Sequence, residues 1–112
     1  MRAFLICPVR GHDPVESKEF VSILEDQGIE VYWPPRDTKQ DDPTGYTICL
    51  ENLEGIKASD VVYVVWDGKS QGCLFDLGMA FALGKKVRPI MLPEASEGKS
   101  FQNMVREWSK HG

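Results

Sequence analysis

Residues 70–87, SQGCLFDLGMAFALGKKV, place a carboxylate where a buried strand turns into a helix. The strand before them, Val61-Val62-Tyr63-Val64-Val65-Trp66, is a continuous β-branched and aromatic run, as expected when both faces of a parallel sheet are covered. Asp67-Gly68-Lys69-Ser70 breaks that run with turn chemistry. Beyond Gly72 the spacing of Leu74, Leu77 and Phe81 predicts an apolar helical stripe, with Gly78 and Ala82 small enough to approach the sheet. Asp76 then falls in the first turn of a helix at the carboxyl end of a central strand, where open α/β folds keep their ligand crevice. Taken alone, an acid there does no more than complement the helix dipole, worth about 0.3–1 kcal/mol.

The rest of the chain alternates strand and helix around this unit. Arg2 to Cys7 reads as a strand and Pro8 to His12 as its loop. Asp13, Pro14 and Glu16 have the form of a helix start. Phe20, Ile23, Leu24 and Gln27 give that helix its periodic face, and Gly28 ends it. Ile29 to Trp33 is a second strand stopped by Pro34-Pro35, and residues 36–45 (RDTKQDDPTG) form a polar loop long enough to suspect a function. Tyr46 to Ser59 reads as helix, Lys86 to Leu92 as strand and Phe101 to Lys110 as a closing helix. This order implies a three-layer α/β sandwich, flavodoxin- or Rossmann-like, with a mostly parallel sheet of about 4–5 strands. Residues 1–112 read as one domain.

Composition narrows the function. The 112 residues are 42% hydrophobic, enough for a real but small core that dimerisation would help. Net charge is −4 with no run of Lys or Arg, which argues against a nucleic acid polymer as partner. No apolar segment has the length of a membrane span, and the first residues lack the form of a signal peptide. Three cysteines outside any Cys-x-x-Cys pair fit reduced thiols and a cytoplasmic location. With two histidines, no metal is implied, and no cofactor motif is present.

Three loops leave the carboxyl ends of neighbouring strands: 8–12, 34–43 and 67–72. Arg10 offers a planar fork for phosphate or carboxylate, Ser70 a hydroxyl, and the amides near Gly72 a positive helix end. Together they make a candidate monophosphate site; Arg10 alone would be a solvated loop cation. Trp33 and Trp66, at strand ends, are candidates to stack a base or to pack the core. Cys73, near a helix start, is a candidate lowered-pKa thiol, and Asp41-Asp42 a candidate Mg²⁺ pair or a solvated one.

Asp60, the following strand, Ser70, Gly72, Phe75-Asp76-Leu77-Gly78 and Gly84-Lys85-Lys86-Val87 resemble the nucleoside 2-deoxyribosyltransferase family. The closest likeness within it is to the 2'-deoxynucleoside 5'-phosphate N-hydrolases, and Phe4 to Gly11 (FLICPVRG) resembles the strand and Arg-Gly loop that open those hydrolases. The resemblance implies cleavage or transfer at an N-glycosidic bond, with Asp76 in the place of the family's carboxylate nucleophile. Ser70, six residues before it, has the spacing of the serine by which the hydrolases bind a 5'-monophosphate, and Arg10 and Gly11 join it there. Asn52 falls where the family places an orienting aspartate, on the helix face of Cys49 and Ile56. Asn103-Met104 resembles the segment that relatives extend into a neighbouring subunit's site, which implies a homodimer or larger assembly.

Three positions depart from the family pattern. Asp76 replaces the usual glutamate and sets its oxygens roughly 1–1.5 Å further back, a displacement that can cost on the order of 100-fold in rate. Asn52 puts an amide where an acid is usual, and Phe4 stands where a tyrosine hydroxyl normally touches the nucleophile. Two readings follow: an enzyme acting on a nucleoside or nucleotide, or a nucleotide-binding module of the same fold with impaired chemistry.

Overall fold

The structure, a computed structural model, describes residues 1–9 and 14–112. Among them β1 (Arg2–Ile6), β2 (Glu30–Tyr32), β3 (Val61–Val65) and β4 (Lys86–Met91) form a four-stranded sheet in the order β2-β1-β3-β4, parallel throughout. Between and after the strands lie α1 (Pro14–Asp26), α2 (Pro34–Asp37), α3 (Tyr46–Lys57), α4 (Gln71–Ala82) and α5 (Phe101–Lys110). β1 and β3 are neighbours although β2 lies between them in sequence, so the connections leave in opposite directions at their carboxyl ends. Such a switch point opens a crevice in α/β sheets.

The alternation of side chains along each strand builds two core layers. On one face Phe4, Ile6, Val62, Val64 and Val87 pack against Ile56 of α3, Leu77 and Ala80 of α4, and Val105 of α5. On the other, Leu5, Val31 and Val65 pack against Val21 and Leu24 of α1 and against Trp33. The central strand is buried along nearly its whole length, which is what its unbroken β-branched run predicts.

Several local expectations are corrected. Pro34-Pro35 does not simply end the strand; the prolines sit at the first positions of α2, where a missing N–H costs nothing, and Asp37 accepts the Trp33 N–H at 2.8 Å. The expected loop 36–45 is shortened accordingly. α4 starts at Gln71, and its inward face is Cys73, Asp76, Leu77 and Ala80. Phe81 instead lies outside, edge-on to Trp108 of α5 with ring centroids 5.2 Å apart. Gly78 and Ala82 are exposed, and Ala80 is the small residue against the sheet. On α1, Ile23 points outward while Val21 fills the core.

One glycine has a direct bearing on the site. A Cβ on Gly55 of α3 would stand 3.1 Å from the Phe4 ring and 3.2 Å from Tyr32. Those two rings pair across β1 and β2 and stack with centroids 5.2 Å apart. Glycine lets α3 lie down on the stacked pair.

Candidate active site

Asp76 is the sixth residue of α4, one turn deeper than the sequence reading placed it, and only 7% of its surface is exposed. The dipole effect fades within the first turn of a helix, so it does not account for this carboxylate. Burial pushes its pKa up to about 7, against which a hydrogen bond from Asn52 works. The Asn52 amide nitrogen lies 3.5 Å from Asp76 Oδ2, while Oδ1 accepts no hydrogen bond from the described residues. An acid in this state changes charge near neutral pH, the range in which a reacting carboxylate is useful.

Asn52 is itself 6% exposed, facing inward beside Ile56 as its spacing on α3 predicts. Its carbonyl accepts a hydrogen bond from the Thr38 hydroxyl at 2.7 Å. Thr38, at the end of α2, is 3% exposed, and its oxygen lies 2.6 Å from the Tyr32 hydroxyl. A continuous chain of contacts thus runs from Tyr32 on β2, through Thr38 and Asn52, to Asp76. The sequence reading passed over Thr38 and Tyr32. In the sequence Tyr32 is one residue of a strand, and nothing in a polar loop marks Thr38 as buried. Phe4 is fully buried and carries no hydroxyl toward the carboxylate.

Ser70 caps α4: its Oγ accepts the Cys73 N–H at 3.3 Å. Its own N–H goes to Asp67 Oδ1 at 2.9 Å and its carbonyl takes the Trp66 indole N–H at 3.2 Å. Those bonds fix the turn after β3 and leave the hydroxyl hydrogen able to donate. Gly72 is exposed in the first turn, where a Cβ would meet only the Ser70 hydroxyl at 3.9 Å. Arg10 and Gly11, the expected remainder of the phosphate site, lie outside the described residues.

Other candidates are not brought to this crevice. Trp33 is 8% exposed in the α1-side core, its indole N–H donated to Ser17, so its faces are not offered to a base. Trp66 is buried beneath the Ser70 turn. Asn103 bonds its own loop: it accepts from the Ser96 N–H and donates to the carbonyls of Ser96 and Gly98. Burial pushes the Cys73 thiol up to about 12, so the lowered pKa that its place near a helix start left open is not realised. Asp42 accepts the N–H groups of Thr44 and Ile48 and so organises the entry to α3. A cleft of about 300 Å³ lies along β2, lined in part by Tyr32, Arg36 and Gly55, and it does not include Asp76.

The family model described as nucleoside 2-deoxyribosyltransferase matches residues 7–104, which include β3, α4 and the loop between them. The chain belongs to the nucleoside 2-deoxyribosyltransferase family. That family acts on N-glycosidic bonds of nucleosides or nucleotides by transfer or hydrolysis. Solved structures agree in fold. The 2-deoxyribosyltransferase of the psychrotolerant bacterium Bacillus psychrosaccharolyticus is similar at 20% identity, with a TM-score of 0.72 over 96% of this chain and 81% of that one. The CMP N-glycosidase BcmB of Clostridium botulinum is similar at 21% identity, with a TM-score of 0.65 over 97% of this chain and 83% of that one. At such identities the likeness carries the flavodoxin-like fold and not the roles of residues. None of the curated proteins matches the chain. No helix among the described residues is long and apolar enough to cross a membrane.

Proposed function

We propose that the protein cleaves the N-glycosidic bond of a deoxynucleoside or nucleoside 5'-monophosphate with Asp76 as the nucleophile. The observation that carries this reading is a buried carboxylate at the switch point of the sheet, with one oxygen held by Asn52 and the other taking no hydrogen bond from the described residues. The anomeric carbon of a nucleoside becomes positive as its bond to the base breaks, and a poorly solvated carboxylate is strongly attracted to it. In the first step an Asp76 oxygen bonds to that carbon. The electron pair of the broken C–N bond leaves with the base, which takes up a proton from solvent. Water then adds at the same carbon, gives up a proton and returns Asp76 as a carboxylate.

The Ser70 hydroxyl lies six residues before Asp76, roughly 9 Å along a helix axis, and exposed Gln71 and Gly72 follow it in the first turn of α4. In this reading they take the 5'-phosphate together with Arg10. The name CMP N-glycosidase for a structural relative points the same way, toward a nucleotide. Exposed Tyr46 and Leu50 on α3 and Phe75 on the adjoining α4 favour a homodimer, which light scattering at micromolar concentration tests.

A second reading is a nucleotide-binding module with impaired chemistry. It is favoured by the short reach of an aspartate and by the long 3.5 Å contact from Asn52. Chromatographic release of free base from a panel of nucleosides and nucleotides decides between the two. Release that depends on Asp76 establishes the enzyme. Nucleotide binding that is weakened by Arg10→Ala, without release of base, establishes the module.

A further inference from the structure

The Tyr32–Thr38–Asn52–Asp76 chain has a direction. An ionised carboxylate only accepts hydrogen bonds, so the Asn52 group facing Asp76 must be its NH₂. The Asn52 carbonyl then faces Thr38 and needs a donor, which the Thr38 hydroxyl supplies. That uses the one hydroxyl hydrogen of Thr38, so Tyr32 must donate to the Thr38 oxygen. Every donor along the chain points toward the carboxylate. An asparagine with no such support can turn over and present its carbonyl to Asp76 instead. That arrangement is favourable only when Asp76 is protonated and donates.

We infer that Thr38 and Tyr32 are positioning residues for Asp76: they lock the Asn52 amide so that its N–H group, and not its carbonyl, faces the carboxylate. The inference rests on Asp76 as the reacting group and adds what keeps it ionised. Several features of the fold make the lock stiff. Thr38 is buried, its N–H is bonded to the Pro34 carbonyl, and Gln40 bridges the carbonyls of Pro34 and Thr38. The Tyr32 ring stacks on Phe4, and the bare backbone of Gly55 lies against both rings. An amide is not a proton wire, so what travels along this chain is orientation. Among the described residues, the titratable groups that interact with Asp76 from the elements around it are the thiols of Cys7 after β1, Cys49 of α3 and Cys73 of α4, with Asp42 acting on Cys49 and Asp67 on Cys73. Burial keeps the thiols neutral at pH 7. Arg10 and His12, outside the described residues, are common to wild type and variants alike.

The test is the titration of Asp76 itself, followed by carboxyl ¹³C NMR on aspartate-labelled protein, with the resonance assigned by its loss in Asp76→Asn. Thr38→Val keeps the shape and removes the hydroxyl, and it should raise the Asp76 midpoint by about one on the pH scale, a tenfold gain in proton affinity. Thr38→Ser should restore the wild-type midpoint. Tyr32→Phe should give a smaller rise in the same direction, and it serves as the arm of the test if Thr38→Val does not fold. A merely structural role would lower the melting temperature and leave the midpoint in place. A midpoint unmoved by these variants, or moved equally by Thr38→Ser and Thr38→Val, overturns the inference. The titration needs no turnover, so a moved midpoint in a protein that releases no base supports the lock and refutes the hydrolytic reading alone.

Discussion

Asn52 and Asn103 are both helical asparagines and both were marked by the sequence as site residues, yet the molecule uses them in opposite ways. Asn103 bonds Ser96 and Gly98, seven and five residues away, and its amide folds one loop onto the start of α5. Asn52 bonds Thr38 and Asp76, fourteen and twenty-four residues away, and is buried. One knits a neighbourhood together; the other joins three segments that chain order keeps apart. A polar residue that is desolvated in order to reach another segment has lost water's hydrogen bonds and must be repaid by geometry, so such placement marks a site more sharply than residue type.

The largest effect should come at the carboxylate that Asn52 serves. Asp76→Asn preserves shape and removes the charge, so base release should fall on the order of 10³-fold or more, while nucleotide affinity measured by calorimetry stays within a few-fold. Activity surviving that change would break the link between Asn52 and chemistry.

The same substitution should reveal what the site costs. Unfolded, the Asp76 carboxyl returns to near 3.8; folded, it sits at about 7. Between those values the folded state binds the extra proton, so its stability falls as pH rises through the window and is level above it. Asparagine has no such dependence. Asp76→Asn should therefore be as stable as wild type below pH 4 and more stable by a few kcal/mol at pH 8, in urea titrations run at both. Equal stabilities at pH 8 would mean that the carboxylate is better solvated than its burial indicates.

Next in size is Asn52→Ala, which leaves Thr38 and Asp76 facing a gap. Loss of buried hydrogen bonds should cost about 1–3 kcal/mol by denaturant unfolding and raise the Asp76 midpoint. A stability loss with no change in that titration would reduce Asn52 to the class of Asn103.

The parallel α/β sandwich and the helix that carries Asp76 were legible because strand burial and helix periodicity are written in hydrophobic pattern. The run of residues 61–66 and the stripe about Leu77 needed no outside contact to be read. What escaped were features that depend on a partner from elsewhere. Phe81 looks like core by spacing, but it is turned outward to meet Trp108 of α5. Pro34-Pro35 reads as a stop, yet it opens a turn of helix that delivers Thr38 to Asn52. Cys73 stays a minor candidate for an activated thiol in the sequence because helix position is visible there and desolvation is not. Trp33 stands at a strand end in the sequence, and only the packing of α1 decides that Ser17 takes its N–H.

The smallest effect should be that of Asn103→Ala. Its three side-chain hydrogen bonds lie at the surface, where water replaces much of what is lost, and the Ser100 cap on the Asn103 backbone N–H survives the change. A loss of about 1 kcal/mol is expected, a drop of a few degrees in melting temperature, with base release and nucleotide affinity unchanged. The sequence resemblance instead places the segment around Asn103 in a neighbouring subunit's site, and that placement makes the opposite forecast. If turnover falls tenfold while the melting temperature holds, Asn103 leaves its loop on assembly and reaches a second copy's crevice. Both asparagines would then serve chemistry, one through burial in its own subunit and one through exchange between subunits. Kinetics measured across the concentration range of dimer dissociation separate the outcomes, because only an Asn103 that acts across an interface ties activity to assembly.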